Sequence, residues 1–416
     1  MAVQDSPIVI DPSLVSDRIE RMARYGPHPE AGMRRLVYTP AWSAAVAELG
    51  EWLQSDGMDV RRDAVGNIYG VVAGTEPGPS IITGSHIDTT VQGGKYDGTL
   101  GVIAASIAVR SLKQGYGQPR RTLEVLATCD EEASRFHSNF WGARAIAGLV
   151  GADEADHIRD SDGITLADAM RSVGLDPADV RSAHRTDIDT FLELHIEQGP
   201  VLDRFKIPLA AVEAITGVRQ QEFTLLARAD HAGSMPMAER LDAAPALAEV
   251  IQQVTQMALD FGPPAVSTIG RIETFPGFPN IVAARIRFSV DSRYHSEAKR
   301  QEYNQRIDRA IAKIAADAGL GLRSENLLDQ PAVPMDPSLV DTIRSSADAL
   351  GIPYRTLVSG AGHDTQVIAR SGVKTAMIFV ASKNGRSHSP DEFTTLDDCV
   401  AGISVLTETL RRLAYD

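Results

Sequence analysis

Short apolar runs rich in β-branched residues alternate with helical segments along the first half of the chain. The runs NIYGVVAG, SIITGSH, TLEVLAT and FLELHIE span residues 67–74, 80–86, 122–128 and 191–197. A helix is predicted over about 98–114, between the second run and the third. Strands that alternate with helices assemble into a mostly parallel sheet whose two faces lie under helices. The pattern therefore predicts an α/β domain.

A different order of elements occupies residues 215–329. A strand, a helix, two strands, a second helix and a final strand follow one another, and the second of these strands is predicted as one run, STIGRIETF, over 267–275. The second helix, 296–319, begins at the capping residue Ser296. This βαββαβ order is that of a ferredoxin-like α+β unit.

The α/β pattern resumes after the βαββαβ section, with a helix, a strand at 374–381 and a terminal helix. A chain of 416 residues also exceeds what one hydrophobic core usually organises. We therefore predict a discontinuous α/β domain formed by residues 1–214 and 330–416. Residues 215–329 would be inserted into it as a second domain.

Composition and charge exclude several classes of protein. The net charge of −14, without any concentrated basic segment, argues against a nucleic-acid or anionic-membrane partner. Only two cysteines occur, Cys129 and Cys399, so a disulfide framework is excluded and a reducing compartment is indicated. The sequence begins MAVQDSPIVIDPS, without the basic and apolar regions of a secretory signal, and its longest apolar stretch, 100–109, is about half a membrane span. We expect a cytoplasmic protein.

Histidine and acidic side chains occur where four of the predicted strands end. In chain order they are His86, Asp88 and Asp97 in GSHIDTTVQGGKYDGTLGV, Glu131 and Glu132 in EEASRF, His195 in ELHIEQG and His388 in GRSHSPDE. Taken singly, each has an ordinary explanation, such as a solvated acidic turn or a histidine in a core. The carboxyl ends of parallel strands meet at one edge of a sheet, however, so we expect these side chains to converge. Imidazole and carboxylate groups together are typical ligands of zinc and manganese.

His86 and Asp88 lie two residues apart on an extended segment. Successive side chains of a strand alternate between its faces, so these two point the same way. We therefore expect the carboxylate of Asp88 to hydrogen-bond to the second ring nitrogen of His86 and to orient the imidazole.

The motifs of this chain, in this order, resemble those of the M20 metallopeptidase superfamily. Within it they resemble the hydantoinase/carbamoylase group, which comprises N-carbamoyl-L-amino-acid hydrolases, allantoate amidohydrolases and β-ureidopropionases. The matching stretches are GSHIDTTVQGGKYDGTLGV, EEASRF, LELHIEQGPVLD, DHAGSMPM, PGFPNIV, DSRYH, SGAGHD and SKNGRSHSPDE, which span residues 84–392. The resemblance implies a dimetal catalytic domain and an inserted lid and dimerisation domain.

The resemblance also implies a pair of divalent metal ions. One ion would be completed by His86 and His195. The other would be completed by Glu132 and His388, and Asp97 would bridge the two. Behind these ligands, Asp88 would support His86, and Glu131 would act as the general base. Zinc or manganese is the expected metal, with cobalt and nickel possible in such a ligand set.

Further residues are assigned to the substrate by the resemblance. His231 of HAGSMPM would polarise the scissile carbonyl or steady the oxyanion, and it would reach the metal ions from the partner subunit of a homodimer formed through the lid. Asn280 and Arg293 would hold the α-carboxylate of the substrate. Gln198 would contact the ureido group, and the backbone at Gly360 would contact the carboxylate.

The reaction implied is hydrolysis of the carbamoyl C–N bond of a small ureido acid. An N-carbamoyl-L-amino acid would yield an amino acid, ammonia and carbon dioxide. Allantoate is the second candidate substrate, and an aminoacylase or peptidase activity of the same superfamily is the third candidate function. A non-catalytic binding relative is the alternative of another class. It predicts losses among the ligands or the base, whereas Glu131 and all five ligand residues are present.

Overall fold

The computed structural model describes residues 8–30 and 32–416. The prediction of no secretory signal depends on the N-terminal stretch, of which residues 1–7 lie outside the described residues. Among the described residues, no helix combines the length and the apolar character that a membrane span requires. Both cysteines are buried free thiols.

The bounds of the regular elements are as follows. In chain order, the α-helices are α1 (Pro12–Met22), α2 (Pro40–Ser55), α3 (Thr99–Tyr116), α4 (Trp141–Ile146), α5 (Glu154–His157), α6 (Leu166–Ser172), α7 (Val201–Phe205), α8 (Ala243–Phe261), α9 (Glu297–Asp317), α10 (Pro337–Leu350), α11 (Asp364–Ile368) and α12 (Leu396–Ala414). The strands are β1 (Pro27–His28), β2 (Gly32–Met33), β3 (Asp59–Arg62), β4 (Ile68–Val72), β5 (Ser80–His86), β6 (Leu123–Thr128), β7 (Ile188–Ile196), β8 (Leu209–Ile215), β9 (Gly217–Leu226), β10 (Val266–Thr268), β11 (Ile272–Phe275), β12 (Arg285–Tyr294), β13 (Gly321–Gln330), β14 (Val333–Pro334), β15 (Tyr354–Ser359) and β16 (Lys374–Val380). Short 3-10 turns lie at Pro177–Ala183, Met237–Glu239, Ala369–Ser371 and Lys383–Gly385.

The chain divides into two compact units, here called the α/β unit and the inserted unit. The α/β unit contains the chain up to Glu213 together with Met335–Leu357 and His363–Asp416. The inserted unit contains Ala214–Pro334 and the short stretch Val358–Gly362. The three domain ranges predicted from the sequence stay a prediction.

Parallel strands form the centre of the sheet in the α/β unit. Seven of its strands follow the order β8-β16-β7-β5-β6-β4-β3, and β15 also pairs with β8. Strands β16, β7, β5 and β6 run parallel to one another, whereas β8, β4 and β3 pair in the antiparallel sense. The α/β class with its parallel sheet is therefore confirmed. Strands β3 and β4 are antiparallel because the short turn between Arg62 and Ile68 can join only antiparallel neighbours, whereas parallel strands need a long crossover.

Close packing accounts for the apolar sequence of the central strands. Strands β5 and β6 are buried over their whole length. A Cβ at Gly84 of β5 would lie 1.9 Å from the carbonyl oxygen of Leu126, and one at Gly101 of α3 would lie 2.2 Å from that of Leu194. These two glycines let β5 and α3 approach their neighbours, and the packing holds the carboxyl ends of the central strands side by side.

The inserted unit has one strand more than predicted. Its sheet order is β10-β12-β9-β13, with β11 also paired to β12, and the strand pairs are antiparallel. The run 267–275, predicted as one strand, is interrupted between Thr268 and Ile272. Thr268 pairs with Asp291, and Ile272 pairs with Phe288. The four residue steps from Thr268 to Ile272 therefore face only three steps on β12. An extra residue of this kind forms a bulge that breaks the ladder.

Helices α8 and α9 cover one face of this sheet. Phe223 and Phe288 stack there with their ring centroids 5.6 Å apart, inside a core that includes Ile286 and Val290. The side chains of β12 that come between these core residues in the sequence lie on the other face of the sheet, because side chains alternate along a strand. Ser296 occupies the N-cap of α9 as predicted by position, but its side chain makes no capping hydrogen bond.

Candidate active site

The histidine and acidic side chains lie at the carboxyl ends of adjacent parallel strands. His86 is the last residue of β5, and His195 is the last but one of β7. Glu131 and Glu132 follow β6, and His388 lies in the loop after β16. Strands β16, β7, β5 and β6 are neighbours in this order, so their ends meet at one edge of the sheet.

Asp97 lies at the centre of this group. Its Oδ1 atom is 3.4 Å from Nε2 of His86 and 3.1 Å from Nε2 of His195. Its Oδ2 atom is 3.4 Å from Nε2 of His388, which is itself 3.5 Å from Oε2 of Glu132. The two oxygens of one carboxylate thus face two separate sets of donor atoms. Each set has the composition and spacing of a cation site.

Backbone carbonyls fix the ring orientations of His86 and His195. Nδ1 of His86 lies 3.1 Å from the carbonyl oxygen of Asp88, and Nδ1 of His195 lies 3.0 Å from that of Ile196. A neutral ring whose Nδ1–H donates to a carbonyl keeps its lone pair on Nε2, which is the form that binds a metal. Both Nε2 atoms face Asp97.

The carboxylate of Asp88 makes different contacts from those predicted. It stands 4.0 Å from Nδ1 of His86, and the backbone carbonyl of the same residue takes the ring contact instead. Its two oxygens accept the backbone N–H groups of Glu131 and Glu132, each at 3.2 Å. The alternation of side chains fails here because β5 ends at His86, so Asp88 is no longer on a strand. Asp88 therefore holds the turn that carries the two glutamates.

That turn has a strained backbone on both sides of the glutamates. Asp130 and Ala133 have φ angles of +54° and +49°, in the left-handed region that non-glycine residues rarely adopt. The paired hydrogen bonds to Asp88 offset this strain. Their geometry fixes the direction in which Glu131 and Glu132 leave the backbone.

Burial and neighbouring charges separate the acidities of the carboxyl groups. Burial opposes ionisation of Asp97, but the adjacent histidine rings, His195 foremost, hold its pKa well below its ordinary value. Burial raises the pKa of Glu131 well above its ordinary value, and burial together with the charge of Asp97 raises the pKa of Glu132 to about 8. Asp97 is thus held as a carboxylate, whereas the raised pKa of Glu131 gives its carboxyl group a high proton affinity.

Gly98 allows the loop after Asp97 to approach the ring of His86. Its φ angle is +61°, and a Cβ built on it would lie 2.3 Å from the nearest atoms of that ring. Its N–H group donates to Nε2 of His195 at 3.2 Å. Both the backbone conformation and the lack of space require glycine at this position.

We expect Gly98→Ala to weaken metal binding by at least about tenfold, because the new methyl group must displace the His86 ring. Gly117→Ala is the matched control at the other end of α3. Gly117 has a φ angle of +79° and open space around a built Cβ, so this variant carries backbone strain alone. Metal affinity is measured by competition with a chelator. The melting temperatures of the two variants show how far backbone strain destabilises each of them. Equal affinities in the two variants would contradict the prediction.

Two residues that the sequence analysis did not single out support Asp97. Oε1 of Glu392 accepts the backbone N–H groups of Tyr96 at 2.8 Å and of Asp97 at 3.0 Å. The hydroxyl of Ser387 donates to Oδ2 of Asp97 and contacts Glu392 at 3.1 Å. A single sequence carries no signal for these contacts, because Glu392 and Asp97 lie 295 residues apart.

A second buried cluster comprises Glu193, His195 and His363. The rings of His195 and His363 meet edge to face with centroids 4.6 Å apart. The Glu193 carboxylate, however, already accepts the hydroxyl of Ser85 at 2.7 Å and the backbone N–H of Thr365 at 3.2 Å. Both of its oxygens are therefore engaged by protein donors, which favours a structural role for this cluster over a metal site.

Gln198 lies against the central carboxylate of the site. Its Nε2 atom donates to Oδ2 of Asp97 at 2.8 Å. Its Oε1 atom is buried and accepts no hydrogen bond from the described residues. An acceptor in this state loses stabilising interactions unless a ligand supplies a donor.

The inserted unit brings His231 and Asn280 together. His231 forms an isolated bridge with Ile281, and the carbonyl of Asn280 accepts the backbone N–H of Ala232 at 3.0 Å. This pairing continues the β9–β12 ladder beyond Arg285, at the start of β12. The two residues therefore belong to one end of the unit.

Arg293 and Gly360 lie at the other end. NH1 of Arg293 donates to the carbonyl of Gly360 at 2.9 Å, and the Nε edge of the guanidinium is held by Asp291 at 2.9 Å. Arg285 and Arg293 are eight residues apart on β12, which amounts to roughly 26 Å in a strand. Within one chain, Asn280 and Arg293 do not converge, although both were expected to bind one carboxylate.

Comparisons with known proteins cover nearly the whole chain. The sequence profile of peptidase family M20/M25/M40 matches residues 82–412. The chain is similar to the allantoate amidohydrolase of Escherichia coli K12, with 37% identity over 96% of this chain and 98% of that protein. It is equally similar to the N-carbamoyl-L-amino-acid amidohydrolase of Paenarthrobacter aurescens, with 37% identity over 95% of each chain.

Solved structures show the same architecture. A hydantoinase/carbamoylase family amidase from Burkholderia ambifaria superposes with a TM-score of 0.90 at 30% identity, covering 98% of this chain and 99% of that one. The predicted resemblance to the M20 superfamily and its hydantoinase/carbamoylase group is confirmed by these matches.

Proposed function

The chain belongs to peptidase family M20/M25/M40, and we propose that within this family it is a metal-dependent amidohydrolase that cleaves the carbamoyl C–N bond of a ureido acid. The observation that carries the proposal is the carboxylate of Asp97, whose two oxygens face two separate donor sets. The relatives named for allantoate and for N-carbamoyl-L-amino acids support the reaction class. We place N-carbamoyl-L-amino acids first as substrates and allantoate second.

Two divalent ions fit the five ligand side chains. His86 and His195 would hold one ion, Glu132 and His388 the other, and Asp97 would bridge them. The fit rests on the ring nitrogens, because the carbonyl contacts at Nδ1 leave the Nε2 atoms of His86 and His195 directed at Asp97. When bound, such ions lower the pKa of water and polarise a carbonyl group. Zinc or manganese is the proposed metal, with cobalt or nickel as substitutes.

Glu131 is the proposed general base. Its carboxyl group is buried, and Oε2 lies 3.9 Å from Nε2 of His86, beside the proposed ligands. This position suits it to take the proton of the attacking water at Oε2 and to return that proton to the leaving nitrogen. The C–N bond then breaks, ammonia departs, and the carbamate that remains on an N-carbamoyl amino acid loses carbon dioxide.

Gln198 is the proposed contact for the ureido group. A ureido group presents several N–H donors, and the buried Oε1 atom of Gln198 is an acceptor without a donor among the described residues. Its neighbour Asp97 would place this contact next to the metal ions. An acetylated amino acid lacks the terminal NH₂ group and would leave that acceptor unpaired.

We also propose a homodimer in which the inserted unit of one chain completes the site of the other. In a single chain, Arg293 and the pair His231 and Asn280 lie at opposite ends of β12. One small substrate can meet both ends only if they come from different chains. A surface for such pairing is offered by the exposed edge strand β10 and by two exposed apolar residues, Leu259 of α8 and Val266 of β10.

Arg293→Lys is expected to raise KM for carboxylate-bearing substrates by about tenfold or more, because an ammonium group cannot make two parallel hydrogen bonds to a carboxylate. Arg285→Lys is the matched control, since Arg285 lies on the same strand and face but stacks over Phe275 with its guanidinium carbon 4.3 Å from the ring centre. Steady-state kinetics with one N-carbamoyl amino acid measure both. If Arg293→Lys and Arg285→Lys give the same KM, the carboxylate is held elsewhere.

Release of ammonia from a substrate panel tests the proposed reaction. Metal-free protein is reconstituted with Mn²⁺ or Zn²⁺ and offered N-carbamoyl-L-amino acids, N-carbamoyl-D-amino acids, allantoate and ureidoglycolate, and release of acetate from N-acetyl amino acids is measured in parallel. We expect ammonia from at least one ureido acid, and only after reconstitution. Hydrolysis of the acetyl compounds alone would show an aminoacylase instead, and no turnover of any compound would favour a binding protein.

A further inference from the structure

Arg35 is a fully buried arginine next to the segment that carries the proposed ligands. Its side chain donates to the carbonyl of Ile87 at 2.6 Å, to the hydroxyl of Thr99 at 2.6 Å, and to the carbonyls of Met22 and Tyr25 at 3.1 Å each. Only 1% of its surface is exposed. Four hydrogen bonds from one guanidinium thus tie together three separate stretches of chain.

Two of these contacts lie at the two ends of the ligand loop, defined here as residues 87–99. Ile87 follows the proposed ligand His86, and Thr99 stands two residues after the proposed bridge Asp97. The backbone of Arg35 reinforces the first end, because its N–H donates to the hydroxyl of Thr89 at 2.8 Å and its carbonyl accepts the N–H of Thr89 at 3.1 Å. A single side chain therefore spans both ends of the loop that separates His86 from Asp97.

The charge of Arg35 has no direct partner to account for its burial. Its hydrogen-bond partners are neutral carbonyl and hydroxyl groups, and no carboxylate of the described residues pairs with it. The Asp88 carboxylate acts on it only through space. Burying a cation with neutral partners is costly for stability. The burial of Arg35 is better explained by its effect on the acidic ligand loop, whose geometry it fixes and to which it adds a positive charge.

Arg18 shows the contrasting case in the same unit. It is also buried, with 4% of its surface exposed, and it bonds to the hydroxyl of Ser106 on α3 at 2.7 Å. It forms a direct ion pair with Asp56 at 2.6 Å. Arg18 contacts none of the proposed ligands or the residues next to them, so it serves as a structural reference.

We propose that Arg35 is a positioning residue that sets the separation of His86 and Asp97 and so preorganises the metal centre. This inference rests on the proposed function, because it assigns Arg35 a role through the metal ligands. Without the guanidinium, Ile87 and Thr99 lose their common partner, and the two ends of the ligand loop can move apart. The ligands then have to be ordered when the metal binds, which lowers affinity.

Metal affinity of Arg35→Met and Arg18→Met tests this inference. Both variants of the full-length protein are stripped of metal, and their affinity for Co²⁺ is measured by chelator competition while the visible absorption of the bound ion is recorded. Arg35→Met should lose about tenfold to a hundredfold in affinity and show an altered Co²⁺ spectrum. Arg18→Met should lower the melting temperature and keep the affinity and spectrum of the parent protein. Arg35→Lys should recover part of the loss, since one ammonium cannot reach both ends of the loop.

The outcomes separate this inference from the proposed function. If the unchanged protein binds no Co²⁺, the proposed metal centre itself is wrong. If that protein binds two ions per chain and Arg35→Met binds them equally well, only the role of Arg35 is wrong. Should Arg35→Met fail to fold, Arg35→Lys decides the question, because parental affinity and spectrum in that variant would overturn the inference.

Discussion

Glu131→Gln is expected to lower kcat by about 10²- to 10⁴-fold, the contribution that proton transfer by one positioned group makes. Glutamine keeps the size of the side chain but cannot accept the proton of water. The backbone N–H of residue 131 would still donate to Asp88, so the turn and the neighbouring ligand Glu132 would keep their positions. KM and metal content should therefore change little.

Asp130→Asn provides the matched comparison for Glu131→Gln. Asp130 is the adjacent buried acid, and it accepts the hydroxyl of Ser138 rather than facing the histidines. Its replacement should alter stability and leave kcat within a few fold of the parent. Metal analysis of all three proteins excludes loss of ions as the cause of lower turnover. Turnover of Glu131→Gln equal to that of the parent protein would eliminate Glu131 as the base.

Mixed dimers of two inactive variants are expected to recover activity. His231→Ala should lower kcat by about 10²- to 10³-fold through loss of a group that stabilises the oxyanion, and Arg293→Ala should remove the hold on the substrate carboxylate. If each site takes its His231 end from one chain and its Arg293 end from the other, a mixed dimer contains one intact site. Random pairing makes half of the dimers mixed, so about a quarter of the parental activity should return.

The structure supplies the control for this complementation. His231 and Asn280 lie at the same end of the inserted unit, so dimers that mix His231→Ala with Asn280→Ala contain no intact site. That pair should recover nothing, whereas Asn280→Ala mixed with Arg293→Ala should recover as much as the first pair. Differently tagged chains are co-expressed, and activity is compared at equal protein concentration. Absence of recovery in every pair would contradict a site shared between chains.

Local sequence patterns predicted the features that depend on residues close together in the chain. Strand β5 is predicted over its observed range, because a buried parallel strand requires a continuous apolar run, and its last residue is His86. The rule that parallel strands gather ligands at their carboxyl ends then placed His195 and His388 near the same edge. The family resemblance, rather than the spacing, supplied the distinct roles of these residues.

Contacts that depend on the path of the chain could not be predicted from the sequence. Asp88 was expected to touch His86 with its carboxylate, but the strand ends at His86, two residues before Asp88, so the alternation of strand side chains no longer sets the direction of that carboxylate. Glu392 supports Asp97 from 295 residues away. Arg35 has no distinguishing local pattern, because a buried arginine is recognised only by its partners. The bulge that divides β10 from β11 likewise becomes visible only in the pairing with β12.

Anomalous diffraction from crystals of the metal-loaded protein is the most direct measurement of whether one carboxylate bridges two ions. We predict two anomalous peaks per chain, one on each side of the Asp97 carboxylate. One peak should lie against His86 and His195, and the other against Glu132 and His388. A single peak, or a peak between Glu193 and His363, would contradict the bridged centre and the reaction proposed from it.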